Sequence, residues 1–458
     1  MRRFAFLLAV LALVFTACGG GDGGEPTEDG TPSGPVSITF WHSETASGKD
    51  NLVRLVERFN ASQSEVKVEP IYQGSDQDLT LKLIASMPSG NVPAIAYMSE
   101  PYTQPMIDSG QITPIQEYVD RDDYSLSDFA PAAIAYYTIG DTLYAMPFGL
   151  AVPLMFYDKV PFREVGLDPE RPPRDLDEAR AASEKLLQRD SAGNVTRSGF
   201  ALEISPWLFE VMLAGAGELY INKDNGRTSF ATEVAFDNEA GRQFLRWWHD
   251  MVDKGLILNV GRSPSAGVDA LLAIGSRRAV MVLGSSGALR SIADVLETGA
   301  AQGVEPGAAP VPGIPGAVAE GSPGVYTRSL WIMSARPEEE REGAWRFIRW
   351  LVEPQQQAEW FAGSGYLPVR DSAYDLPAAK DIIARYPQFQ LPVDLFAKTA
   401  TTSAALGPLL GPFQQVREAV ATAIESMLSG AASPDEAMDA AVKNANAAIS
   451  DYNRRMGR

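Results

Sequence analysis

Val36, Ile38 and Phe40 alternate with polar neighbours up to Trp41-His42, a period of two that predicts a strand with one buried face. Leu52, Val56 and Phe59 then recur at helical spacing. Val66 and Val68 predict a second strand before Pro70; Leu79, Leu83 and Met87 a second helix ending near Gly90; and Ala94 to Met98 a short buried strand. Strand, helix, strand, helix, strand in this order predicts an α/β architecture. Further along, Phe244, Leu245, Trp248 and Val252 form a helical stripe stopping at Gly255, and Trp345, Ile348 and Leu351 form another stopping before Pro354. A helix through Val416, Val420, Ile424 and Met427 stops at Gly430. The next opens on Ser433-Pro434-Asp435-Glu436, a capping box with Pro at the first helical position. No repeat of fixed period is present. Residues 146 to 153 and 307 to 316 set Pro and Gly between apolar runs, the punctuation expected of crossovers between two lobes.

The amino end follows a different pattern. Arg2 and Arg3 precede an apolar run from Phe4 to Phe15, too short to span a bilayer, and Thr16-Ala17 supplies small residues for cleavage. Residues 1–17 therefore read as a signal peptide, and Phe-Thr-Ala-Cys resembles a lipobox, which makes Cys18 the expected lipid anchor. Residues 18–35 form the tether: residues 19–35 are Gly, Pro, Asp, Glu and Thr almost throughout, a composition that cannot repay the entropy of ordering. Two acyl chains on Cys18 suffice for stable anchoring. The expected location is extracytoplasmic, on the outer face of the cytoplasmic membrane.

Composition narrows the chemistry. The chain has 458 residues, of which 45% are hydrophobic, and a formal net charge of −19. It has no basic run that could track a phosphate backbone, so nucleic acid is set aside as a partner. One Cys and two His are too few for the usual zinc sites and exclude an intrachain disulfide framework, while a carboxylate-only cation site stays open. Neither a cofactor nor a metal is expected. A secreted glycoside hydrolase remains the remote alternative, since a catalytic carboxylate pair could hide among 58 acids. Against an enzyme stands the absence of His-Glu-x-x-His, Gly-x-Ser-x-Gly and Walker patterns. A cell-surface scaffold is the third class, separable by its lack of ligand-induced stabilisation.

Several short strings then fall in a recognisable order: Phe40-Trp41-His42, Arg58-Phe59-Asn60, Tyr72-Gln73-Gly74, Pro93-Ala94-Ile95, Tyr136-Tyr137, Met146-Pro147-Phe148, Phe156-Tyr157-Asp158-Lys159, Ser285-Ser286-Gly287, Leu330-Trp331 and Gly365-Tyr366-Leu367-Pro368. Together they resemble the extracellular solute-binding proteins of bacterial ABC importers, most of all the glycerol-3-phosphate-binding branch. The resemblance implies a two-lobed, maltose-binding-protein-like fold with a ligand cleft between lobes that close about hinge crossovers. It puts residues 36–148 plus 312–350 in the N-terminal lobe and 149–311 plus 351–458 in the C-terminal lobe. The implied protein is a monomer that hands a small solute to the transmembrane subunits of a permease.

Site residues follow from the same resemblance. Glu100, Ser285, Tyr366 and Arg417 match retained ligand positions, with Arg417 as the expected anion clamp, and Trp207 aligns with an aromatic that covers the ligand. Asp76 replaces a branch tyrosine, Ala151 falls where the branch has hydroxyls, and Thr327 and Arg328 replace a glycine-rich turn. A site reads its ligand by matching donors to acceptors, so these changes alter the ligand or its pose. Two ligand classes are expected: a phosphorylated glycerol compound such as glycerol-3-phosphate or a glycerophosphodiester, which is favoured, or a neutral sugar or oligosaccharide.

Overall fold

The alternation beginning at Val36 becomes strand Val36–His42, with Ile38, Phe40 and His42 turned into the core. It pairs in parallel with Val66–Tyr72 and with Ile95–Ser99. In this computed structural model, which describes residues 34–263, 266–299 and 301–458, they are half of a six-stranded sheet. Strand Tyr326–Met333 enters next to Ile95–Ser99 in antiparallel register and pairs also with Ile112–Thr113 and Met146–Ala151. A second six-stranded sheet repeats the plan: Val195–Leu202 lies parallel to Ile257–Asn259 and Ala279–Ser285, and Pro153–Asp158 enters antiparallel before Pro306–Pro310. The α/β expectation is met in both halves. Cys18 and the signal and tether residues up to 33 lie outside the described residues.

The chain passes from the first sheet to the second at Val152 and returns between Pro310 and Tyr326. Both backbone polar groups of Val152 are held by one residue: its N–H donates to Ser286 Oγ at 3.1 Å, and its carbonyl accepts from Ser286 N–H at 2.8 Å. Residues 149–151, expected beyond the crossover, instead complete the first-sheet strand, because Tyr326 and Thr327 pair with Ala151 and Leu150. Leu150 also exchanges two backbone hydrogen bonds with Leu367, which brings the Gly-Tyr-Leu-Pro segment against this strand. Gly149 has φ +144, and a Cβ there would sit 3.1 Å from Trp360 Nε1, so the glycine lets Trp360 and Tyr366 approach.

Two apolar cores follow from the period of the second sheet. Met155, Tyr157, Phe200, Leu202 and Met281 point into one, with the helices carrying Trp247, Trp248, Val416 and Met438. Alternate residues Leu154, Phe156, Ala201 and Val282 point into the other, which continues without a break to Phe40, Trp331 and Phe347 of the first lobe. Helix Pro354–Ser364, expected with the C-terminal lobe, lies in this shared core against both Ala46–Ser62 and Leu289–Glu297. Its Trp360 is fully buried, so the helix bridges the two sheets instead of belonging to one. The capping box at Ser433 forms as expected, Ser433 and Glu436 each satisfying the other's backbone N–H.

Candidate functional site at the junction of the two sheets

Strands of an α/β sheet carry their loops to one edge, and that edge is where the polar residues gather. Ile95–Ser99 ends in the short turn Glu100–Tyr102, which puts Glu100 at the strand's carboxyl end with its backbone carbonyl accepting from Tyr136 Oη at 3.1 Å. Helix Phe413–Leu428 brings Arg417, and helix Pro206–Gly215 brings Glu210. Arg417 donates from Nε to Glu210 Oε1 at 2.7 Å and from Nη2 to Glu210 Oε2 at 2.6 Å, a bidentate pair, while Nη2 stands 3.8 Å from Glu100 Oε1. The guanidinium also lies over the Phe413 ring, 4.6 Å from its centroid. The side chain of Glu210 is 6% exposed. Glu100, Glu210, Tyr136, Tyr220, Tyr326 and Phe413 line a cavity of about 30 Å³. That is space on the scale of water, smaller than a glycerol-sized molecule requires.

A second charged group stands around Arg328. It donates from Nη2 to Asp76 Oδ1 at 2.7 Å and to Ser43 Oγ at 2.6 Å, its Nε is 3.4 Å from Glu44 Oε1, and its plane covers Tyr97 at 4.6 Å. Burial works to raise the Asp76 pKa, but the Arg328 charge and hydrogen bonds from Ser43 and Ser99 outweigh it and hold the carboxylate below its ordinary value. Burial raises Glu44 in spite of Arg328, and the Asp76 charge adds to the rise. Tyr366 stacks on Trp360 at 6.0 Å with the rings 5° apart, its hydroxyl pushed up to about 12 by burial and by Glu44. Glu44 Oε1 and Arg328 Nε meet only each other, as an ion pair, while Tyr97 Oη and Trp360 Nε1 are buried without a hydrogen-bond partner. Such atoms mark polar capacity the fold itself does not consume.

The expected residues thus separate by environment. Glu100, Arg417, Tyr366, Asp76 and Arg328 sit in these two groups. Arg417 and Arg328, however, are not open clamps, because buried Glu210 and half-buried Asp76 already hold them. Ser285 ends strand Ala279–Ser285, with Ser286 beside it turned inward onto Val152. Trp207 meets Tyr326 edge to face at 5.5 Å, and Ala151 pairs with Tyr326 in the sheet. Thr327 is fully buried and spends its hydroxyl on the Gly149 carbonyl at 3.1 Å, which makes it a brace of the first sheet. Sequence reasoning passed over Glu210 and Glu44. Glu210 left a trace, being the one charged residue in the otherwise apolar helix run Trp-Leu-Phe-Glu-Val-Met-Leu. His42 is buried, and burial with the Lys49 and Arg328 charges lowers its pKa to about 4, so it is neutral at physiological pH. Among the described residues no group of three His, Cys, Asp or Glu is placed to hold a metal ion.

Burial raises the Glu100 pKa to about 7 from the ordinary 4.5; Arg417 opposes the rise, while Glu210 and Asp76 add to it. Between these two values the folded chain keeps a proton that the unfolded chain has released, so stability falls as pH rises through the window. Glu100→Gln, which cannot titrate, removes that slope. The expected difference is about 3 kcal/mol between pH 4.5 and 8, read from urea midpoints of the two proteins. Parallel pH profiles would count against the assigned environment.

Residues 54–390 match the family described as bacterial extracellular solute-binding protein. The chain belongs to that family. An sn-glycerol-3-phosphate-binding periplasmic protein of Pectobacterium atrosepticum is 28% identical over 421 residues, covering 90% of this chain and 91% of that one. A relative of the same name from Salmonella typhimurium is 28% identical over 418 residues, covering 90% and 92%. Among solved structures, the cyclic alpha-maltosyl-1,6-maltose binding protein of Arthrobacter globiformis aligns with a TM-score of 0.71 at 25% identity, over 91% of this chain and 100% of that one. The glycerophosphocholine complex of UgpB from Mycobacterium tuberculosis aligns at 0.70 and 20% identity, over 93% and 98%, a likeness of fold. As an extracellular solute-binding protein, the chain works outside the cytoplasm.

Proposed function

We propose that this solute-binding protein is the capture component of an ABC importer and that its ligand is a small hydroxyl-rich solute, held where the two charged groups meet and delivered to the permease's transmembrane subunits. Two lobes would turn about Val152 and the 311–325 segment, Cys18 would hold the monomer to the membrane by its acyl chains, and exposed surface of both lobes would meet the permease. The observation that carries the ligand class is the balance of charge. Two guanidiniums, Arg417 and Arg328, face four acids, Glu100, Glu210, Asp76 and Glu44. A carboxyl group takes hydrogen bonds from hydroxyls, and a paired guanidinium still donates to them, whereas an anion finds each guanidinium's charge already met by a carboxylate. This favours a neutral carbohydrate or polyol. A phosphorylated glycerol compound is the second reading, favoured by the names of the 28%-identical relatives and by the ligand positions that the sequence resemblance implies at Glu100, Ser285, Tyr366 and Arg417.

A thermal-shift screen of the protein against glycerol-3-phosphate, glycerophosphodiesters and mono- and oligosaccharides separates the two. Binding to the native state alone raises stability by about 2.7 kcal/mol at a hundredfold excess over Kd. A shift with sugars alone selects the neutral class, and a shift with phosphorylated glycerols alone selects the second. Silence across the whole panel would sink the proposal.

A further inference from the structure

Helix Pro206–Gly215 buries Leu208, Phe209, Val211, Met212 and Leu213, and in their midst it buries Glu210. An ionised side chain so placed needs a cation, and Arg417 supplies it through both oxygens. One edge of the Arg417 fork, Nε and Nη2, is therefore occupied, and its charge is balanced before any solute arrives. Glu100 stands 3.8 Å from the same Nη2, so Arg417 answers two acids. Of the other walls, Tyr136 and the Leu406 and Gly407 carbonyls are backed by Arg227, whose guanidinium lies 5.0 Å from the Tyr136 ring centroid, while Tyr220, Tyr326 and Phe413 are uncharged.

We propose that Glu210 sets which charge the cleft accepts: by holding Arg417 in a bidentate pair it turns an anion clamp into a recognition site for uncharged hydroxyls, so the part of the solute that meets Arg417 is neutral. The proposal rests on reading this cavity as the solute site. It applies whether or not the far end of the solute is charged. Glu210 chooses by what it denies to the competitor, since a phosphate at Arg417 would have to displace a buried carboxylate.

Inorganic phosphate, which has no hydroxyl-bearing body to recognise, probes the guanidiniums, and the Arg417 variants isolate the Arg417 share. The wild-type protein, Glu210→Gln and the double variant Glu210→Gln/Arg417→Met are titrated with it by calorimetry and thermal shift. Glutamine keeps the shape of Glu210 and one acceptor for Arg417 but withdraws the charge. Glu210→Gln is expected to bind phosphate at least about tenfold more tightly than the wild type, and the double variant to lose the gain. If Glu210→Gln melts too early to titrate, the comparison of wild type with Arg417→Met/Glu210→Leu, which removes the pair without stranding a charge, decides: phosphate binding by the wild type that disappears in this double variant overturns the proposal. So does a Glu210→Gln protein with wild-type phosphate affinity. The panel of sugars and polyols, run on the same variants, separates this from the ligand reading. Phosphate gain in Glu210→Gln without any sugar response supports the role of Glu210 and rejects a carbohydrate ligand; sugar binding without phosphate gain does the reverse.

Discussion

Arg417→Ala is expected to lose about 3–5 kcal/mol of stability, because it strands Glu210 as a buried carboxylate with no cation. From the sequence alone the same substitution is expected to remove ligand and leave the fold intact. The structure changes that expectation: the arginine is a bidentate partner within the fold before it is a contact for anything else. A companion variant separates the two roles. Arg417→Met/Glu210→Leu replaces the pair with apolar groups of similar volume and should recover most of the loss, since a buried pair costs about as much to desolvate as its attraction returns. It should not recover binding. Urea midpoints of wild type, single and double variants, with thermal shift against whichever solute binds, measure both. A single variant within about 1 kcal/mol of the wild type would mean that the pair does not persist in solution.

Trp360→Ala is expected to cost about 3–5 kcal/mol, within the range for emptying a fully buried aromatic site. The ring stacks on Phe148 at 5.1 Å on one side and on Tyr366 at 6.0 Å on the other. Its removal therefore takes the support from behind Tyr366, and solute affinity should fall with stability. Trp360→Phe keeps a ring in the stack and should return most of the affinity. Affinity unchanged in Trp360→Ala would separate Tyr366 from the solute. An unchanged midpoint would contradict the burial itself.

What the sequence yields and what it withholds divide along a physical line. Strand Val36–His42, helix Ala46–Ser62 and the capping box at Ser433 announce themselves because period and cap are local, decided within one or two turns of chain. Glu100, Arg417 and Tyr366 came from resemblance to a family the chain proves to belong to, and they converge on the junction. Their partners did not come with them. Glu210 lies 207 residues from Arg417 in the chain, and Asp76 lies 252 from Arg328, so no local period can pair them. Thr327 shows the same limit from the other side: its residue type suits a ligand contact, but pairing with Leu150 directs it to the Gly149 carbonyl. Trp360 reads as one apolar position among many, and only packing makes it the bridge between the sheets.

The edge-to-face contact of Trp207 with Tyr326 joins a helix that follows a strand of the second sheet to a strand of the first. Tyr326 lines the cavity, and Trp207 against it is only partly covered. On the proposed opening of the cleft this pair is expected to separate and the indole to meet water, while Trp248, Trp331 and Trp360 stay buried in their cores. Indole emission is then expected to move to the red on opening and to the blue on closing, and Trp207→Phe to remove that shift while leaving the emission of the partly exposed Trp41 and Trp350 as background.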